Sequence, residues 1–236
     1  MLLGMAVAGS ILSSFLCQVA YLIFRSPLRW PVLGIDELSK NPYFVLAVQF
    51  ILYILLVSFL FLLITRKYGL DFYSSLRLIR LPSRDLRRFF SAGILVAFAV
   101  MIFSTLLPSA RETPLERIFG QGNALYFFAF FGIVIAPFTE ELIFRGFLFP
   151  IFENRGGRGL AIIVTALIFA GLHVPQLWGS WPAIGLILFV GFVLSGIRAA
   201  TGLLTPSWMV HLAYNSTLVL MVILAKISGL LSHSVR

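Results

Sequence analysis

The sequence predicts an all-α protein, a polytopic transmembrane helix bundle of about 7–8 spans. Three observations predict it. The chain is 60% hydrophobic and 11% charged, whereas soluble domains carry about 25% charged residues. Its mean hydropathy is +1.00. Apolar runs recur along it, several near the length of about 20 residues that crosses a bilayer. Lipid offers the backbone no hydrogen-bond partner, so each run must satisfy itself as a helix.

The first run, 3–24, is apolar from its start and lacks a basic leader, so it reads as a retained span rather than a cleaved signal. The single cysteine, Cys17, lies in it and excludes an internal disulfide or a cysteine metal cluster. Runs 43–65 and 89–107 flank a basic loop, 66–88, of which 70–81 could lie as an amphipathic helix on the membrane surface. Run 124–152 is too long for one straight span. Pro137 in its middle predicts a kink or break just before a pair of glutamates. Runs 160–175, 183–198 and 204–226 complete the set, with Trp178 and Trp181 of WGSWP as interfacial anchors.

The formal net charge of +9 would suggest nucleic acid in a soluble protein. Here the basic residues cluster in membrane-flanking loops, where they set orientation and meet anionic headgroups. The lipid bilayer is thus the expected partner, and nucleic acid is not. Arg66, Lys67, Arg77, Arg80, Arg84, Arg87 and Arg88 place loop 66–88 in the cytoplasm. Arg155, Arg158 and Arg198 then fall on the same side. Arg25, Arg29, Lys40, Arg111, Arg117, Lys226 and Arg236 fall on the other. The expected location is a bacterial-type plasma membrane, with the N-terminus inside and the C-terminus outside.

Three polar sites interrupt the later spans: Glu140, Glu141 and Arg145; FAGLH, ending at His173; and HLAYN, from His211 to Asn215. Ionisable residues inside spans are costly, usually face the bundle interior and mark function by default. Glu141 and Arg145, four residues apart, share one helix face and can pair. Glu140 is turned by about 100° from that face, free of the arginine and able to point into a cavity. His211 and Asn215 again share one face. Glu140 lies 16 residues before Gly156 and His173 lies 17 after it, so antiparallel neighbours would bring the two level.

A carboxylate and two imidazoles are the groups that activate water. The carboxylate serves as general base; histidine shares that role or binds a metal. Asn215 and His211 can donate hydrogen bonds to an oxyanion. The set suits amide hydrolysis with or without Zn2+, for which Glu140, His173 and His211 are the candidate ligands. Taken singly, His173 reads as a helix–helix hydrogen bond, Glu141–Arg145 as a buried structural pair and Asn215 as interhelical glue. Three such clusters in order, on spans otherwise free of charge, point to one shared site.

EELIFR, FAGLH and HLAYN resemble the motifs of the CAAX-protease and bacteriocin-processing family, known as CPBP or Abi: Glu-Glu-x3-Arg, Phe-x3-His and His-x3-Asn or Asp. Glu140, Glu141, Arg145, Phe169, His173, His211 and Asn215 fill every position, and Gly146 fits the common form. The resemblance covers roughly 124–225. It implies an intramembrane endopeptidase, often described as a metalloprotease, acting on a membrane-associated peptide or lipidated protein. Within that frame Glu140 activates water and His173 assists it or ligates a metal. His211 and Asn215 bind a metal or stabilise the oxyanion, while Glu141 and Arg145 position the first helix. Motif content divides the chain into N-terminal helices at 1–123, catalytic helices at 124–226 and a tail at 227–236. Two other readings compete with the peptidase. One is a catalytically idle immunity or scaffolding protein. The other is a transporter, which would show inverted repeats that the sequence lacks.

Overall fold

A computed structural model describes residues 2–25, 31–108 and 124–229. The described residues contain helices and no strand. In chain order they are α1 (Leu2–Phe24), α2 (Ile35–Lys40), α3 (Pro42–Leu62), α4 (Phe72–Ser75), α5 (Ser83–Leu106), α6 (Ala124–Phe130), α7 (Ala136–Glu141), α8 (Phe149–His173), α9 (Trp181–Thr201) and α10 (Leu204–Ile227). Single π-helical segments extend α3 (Leu63–Lys67), join α6 to α7 (Phe131–Ile135) and join α7 to α8 (Leu142–Leu148). Among the described residues five helical stretches are long and apolar enough to cross a membrane, and Ala8–Phe24 is a shorter apolar helix. One of the five, Leu125–His173, is 49 residues long and folds back at Gly156 and Gly157. There φ/ψ leave the helical region, with φ +76° at Gly157, a value that favours glycine. It therefore supplies two crossings, matching the runs at 124–152 and 160–175. The chain is an integral membrane protein.

Two compact units make up the fold. The first comprises Met1–Phe72 and Arg117–Phe128. In it α1 packs on α3, and a Cβ on Gly9 would meet Leu52 Cδ1 at 2.9 Å. Cys17 is buried there. Asn41 starts α3 by accepting the Tyr43 and Phe44 N–H groups at 3.0 and 3.2 Å, with Pro42 at the first helical position, where a missing N–H costs nothing.

The second unit comprises Tyr73–Glu116 and Ala129–Arg236, and it holds all three motifs. Motif content separates α5 from the motif helices at residue 123, but packing unites them. A Cβ on Gly93 of α5 would collide with the Val210 carbonyl oxygen and meet Ala213 Cβ at 2.7 Å, so α5 and α10 touch backbone to backbone. Gly93, Ala97 and Val100 form the buried stripe of α5, while Leu95, Ile102 and Leu106 face outward. Small residues inward and large ones outward is the pattern of helices that associate within lipid. Ala97 and Val100 join Val190, Leu194, Val210 and Tyr214 in one core of α5, α9 and α10. Between α8 and α9, the Thr165 and Ser195 hydroxyls share a buried hydrogen bond at 3.0 Å.

The segment expected as a surface helix over 70–81 is not one. Only Phe72–Ser75 is helical; Leu76 is buried and Arg77 has φ +56°. The reason is docking. Thr205 Oγ1 donates to the Ile79 carbonyl at 2.6 Å and accepts the Ile79 N–H at 3.1 Å, while Leu204 N–H donates to the Arg77 carbonyl at 3.0 Å. The stretch thus satisfies the Leu204 N–H, one of the orphan donors at the start of α10, and is held there by the Thr205 side chain. Helix α5 begins six residues before the predicted span, because Ser83–Arg88 forms its polar first turns after Pro82. Arg29, Arg111, Arg117, Arg236 and most of the 227–236 tail lie outside the described residues.

Candidate active site

The expected break at Pro137 takes the form of a π-helical segment rather than an open hinge. Through Phe131–Ile135 the helix widens, and the Ala136 N–H reaches back to the Phe131 carbonyl, five residues away. Helix α7 then carries Glu140 and Glu141 on its last turn. A second π segment, Leu142–Leu148, carries Arg145. Such bulges recur at functional sites.

Arg145 is wholly buried. Its Nη1 donates to Glu141 Oε1 at 2.9 Å, as the four-residue spacing predicts, and its Nη2 donates to the Gly191 carbonyl of α9 at 3.1 Å. The guanidinium stacks over Phe169 at 4.7 Å from the ring centroid. Substrate therefore has no access to Arg145; it orients Glu141.

His211 of α10 supplies the link that spacing alone did not predict. Its Nδ1 lies 3.0 Å from Glu141 Oε1, and its Nε2 lies 3.7 Å from Glu140 Oε2. Glu141 Oε1 already accepts from Arg145 Nη1 and is the acceptor here too, so His211 Nδ1 carries the proton. His173 follows the same rule: its Nδ1 lies 2.8 Å from the Phe169 carbonyl, an acceptor, and so must donate. With Nδ1 donating in both, Nε2 is the ring nitrogen that each imidazole turns away from these acceptors. The side chain of Glu140 is 13% exposed, against 1% for Glu141.

Phe169, the aromatic of the second motif, touches both imidazoles, with ring centroids 4.6 Å from His173 and 5.9 Å from His211. It also meets Phe144 edge to face at 5.2 Å. Phe144 and Phe169 lie on either side of the Gly156–Gly157 reversal at nearly equal separation, so the antiparallel levels predicted for this pair of spans hold. The structure brings Glu140, Glu141, Arg145 and His211 into direct range and reaches His173 through Phe169. Asn215 engages the backbone: its Nδ2 donates to the Gly132 carbonyl at 2.7 Å.

Sequence reasoning missed Arg198. Assigned to a cytoplasmic loop, it is instead buried in the last turn of α9, where its Nε donates to the Arg145 carbonyl at 3.0 Å. No feature of the sequence around it distinguishes it from the loop arginines.

The metal set fares differently. A catalytic zinc takes three protein ligands. Among the described residues no three His, Cys, Asp or Glu side chains are arranged to hold an ion. Glu140, His173 and His211, the expected zinc ligands, form no such group of three among the described residues.

Comparison with known proteins agrees with the motif geometry. Residues 122–217 match the family described as type II CAAX prenyl endopeptidase Rce1-like. The chain is 25% identical over 129 residues to UPF0177 protein YxdF of Lactococcus lactis subsp. lactis, an alignment covering 54% of this chain and 68% of that protein. No solved structure matches. The matched segment, 122–217, is the one that carries the three intramembrane motifs, and it is similar to the Rce1-like CAAX endopeptidases.

Proposed function

We propose that the chain is an intramembrane endopeptidase that hydrolyses a peptide bond of a membrane-associated or lipidated protein, using water activated at Glu140. The observation that carries this reading is the 3.7 Å gap between Glu140 Oε2 and His211 Nε2. That distance is too long for a direct hydrogen bond. In the tautomer with its proton on Nδ1, His211 presents a lone pair at Nε2, and the carboxylate presents another. Two acceptors facing each other call for a shared donor, and water fits that role.

In the proposed step, the water oxygen bonds to the scissile carbonyl carbon while its proton passes to Glu140. The carbon–nitrogen bond then breaks as that proton moves to the departing amine. His211, anchored by the buried Glu141–Arg145 pair, holds the water beside Glu140, and His173 acts as the second proton carrier through Nε2. No part of the step requires a metal from these residues. The family description makes a prenylated CAAX peptide the first substrate to try.

The test uses purified full-length protein in nanodiscs with a farnesylated peptide bearing a C-terminal CAAX sequence, and mass spectrometry of the products. Cleavage should occur and should fall sharply in Glu140→Gln and His173→Ala. Undiminished cleavage in both variants, or none of any membrane-tethered peptide, overturns the reading in favour of an idle scaffold. Chelators should leave the rate unchanged. For orientation, we propose that loop 66–88 faces the cytoplasm, so a C-terminal reporter should read outside.

A further inference from the structure

Two carbonyl groups near the glutamates lack a backbone donor for the same reason. In the first π segment the Ala136 N–H is taken by the Phe131 carbonyl. In that register the next carbonyl, Gly132, would bond the N–H of residue 137. Residue 137 is proline and has none. In the second segment the Phe149 N–H is taken by the Phe144 carbonyl. The next carbonyl, Arg145, would bond the N–H of residue 150, again a proline. Both orphans are answered by side chains from other helices: Asn215 Nδ2 to Gly132 at 2.7 Å, and Arg198 Nε to Arg145 at 3.0 Å.

We infer that Asn215 and Arg198 are a matched pair of positioning residues, each replacing the backbone hydrogen bond that a proline removes. One stands at either end of the stretch that carries Glu140, Glu141 and Arg145. An orphaned carbonyl inside a membrane protein is expensive, so each donor fixes the π register at its end and with it the rotation of the glutamates. Arg198 is doubly held, its guanidinium 5.5 Å from the Phe149 ring centroid. On this assignment the Asn215 amide nitrogen supports the site through Gly132.

The pairing concerns the fold of this stretch and stands independently of the peptidase reading; only its effect on cleavage rests on that reading. The test is a crossed set of variants in the full-length protein: Asn215→Ala and Arg198→Met, each combined with Pro137→Ala or Pro150→Ala. Pro137→Ala supplies an N–H within reach of the Gly132 carbonyl, and Pro150→Ala supplies one for Arg145. Asn215→Ala alone should lower the melting temperature by about 3 °C. Pro137→Ala should restore most of that loss, whereas Pro150→Ala should not. Arg198→Met should show the reverse dependence. In protein that cleaves peptide, Asn215→Ala should lower kcat with little change in KM, and the matched proline replacement should restore kcat. An amide acting directly on the oxyanion could not be rescued this way. If matched pairs exceed mismatched pairs neither in folded yield nor in melting temperature, the assignment is overturned.

Discussion

His211 Nδ1 stands 3.0 Å from Glu141 Oε1, the same oxygen that receives Arg145 Nη1 at 2.9 Å. One carboxylate oxygen therefore gathers donors from two helices and ties the third motif to the first. Of the two adjacent glutamates, Glu141 is the one that joins the two helices.

Glu141→Gln should be the more damaging glutamate substitution for stability. It leaves Arg145 buried without a counter-charge, and breaking a buried pair costs about 3–5 kcal/mol. Thermal unfolding in detergent should show a large fall in melting temperature for this variant and a much smaller one for Glu140→Gln. Equal shifts would mean that Glu140 carries comparable structural weight.

Activity should respond in the opposite way. Loss of a general base typically lowers rates by about 10²–10⁴-fold, so Glu140→Gln should abolish most cleavage while retaining the native melting profile. Single-turnover assays on folded protein check this, and retention of the wild-type rate would move the base elsewhere.

Gly93→Ala should separate α5 from α10. The added methyl has no space beside the Val210 carbonyl and Ala213, and overpacking of this kind costs about 1–3 kcal/mol. Gly196→Ala, on α9 with nothing within 4 Å of its Cβ position, is the control and should not destabilise. Melting temperatures of the two variants decide the point.

Thr205→Val keeps the side-chain shape but removes both hydrogen bonds to Ile79. Interhelical polar contacts in membrane proteins average about 0.6 kcal/mol, so global stability should barely change. Local order should change: amide exchange across 76–82 should accelerate while the core of α10 keeps its protection.

The spans and the motif chemistry were legible because lipid imposes simple rules. Apolar length gives helices, and a charge inside one needs a reason. The Glu141–Arg145 pair and the level of the second motif followed from helical spacing and the glycine reversal. The His211–Glu141 bond did not, because a contact between residues 70 apart depends on how α10 lies against α7. The contacts of Asn215 and Arg198 were out of reach for a related cause. Their partners are backbone carbonyls whose need arises only in the π register, which the positions of Pro137 and Pro150 permit but do not declare. The stretch over 70–81 misled because its amphipathic period matched a surface helix while Leu76 and the Thr205 clamp pull it into the protein.

The ion pair of Glu141 and Arg145 lies within a single helical stretch, one turn apart. Each charge alone would oppose entry of its segment into the bilayer by about 2.5–3.5 kcal/mol. Because the partners are neighbours on the same segment, they can neutralise each other as soon as that turn coils, before α9 or α10 has been synthesised. The nascent hairpin can therefore leave the translocon with its most polar turn already quenched, and later helices need only close around it.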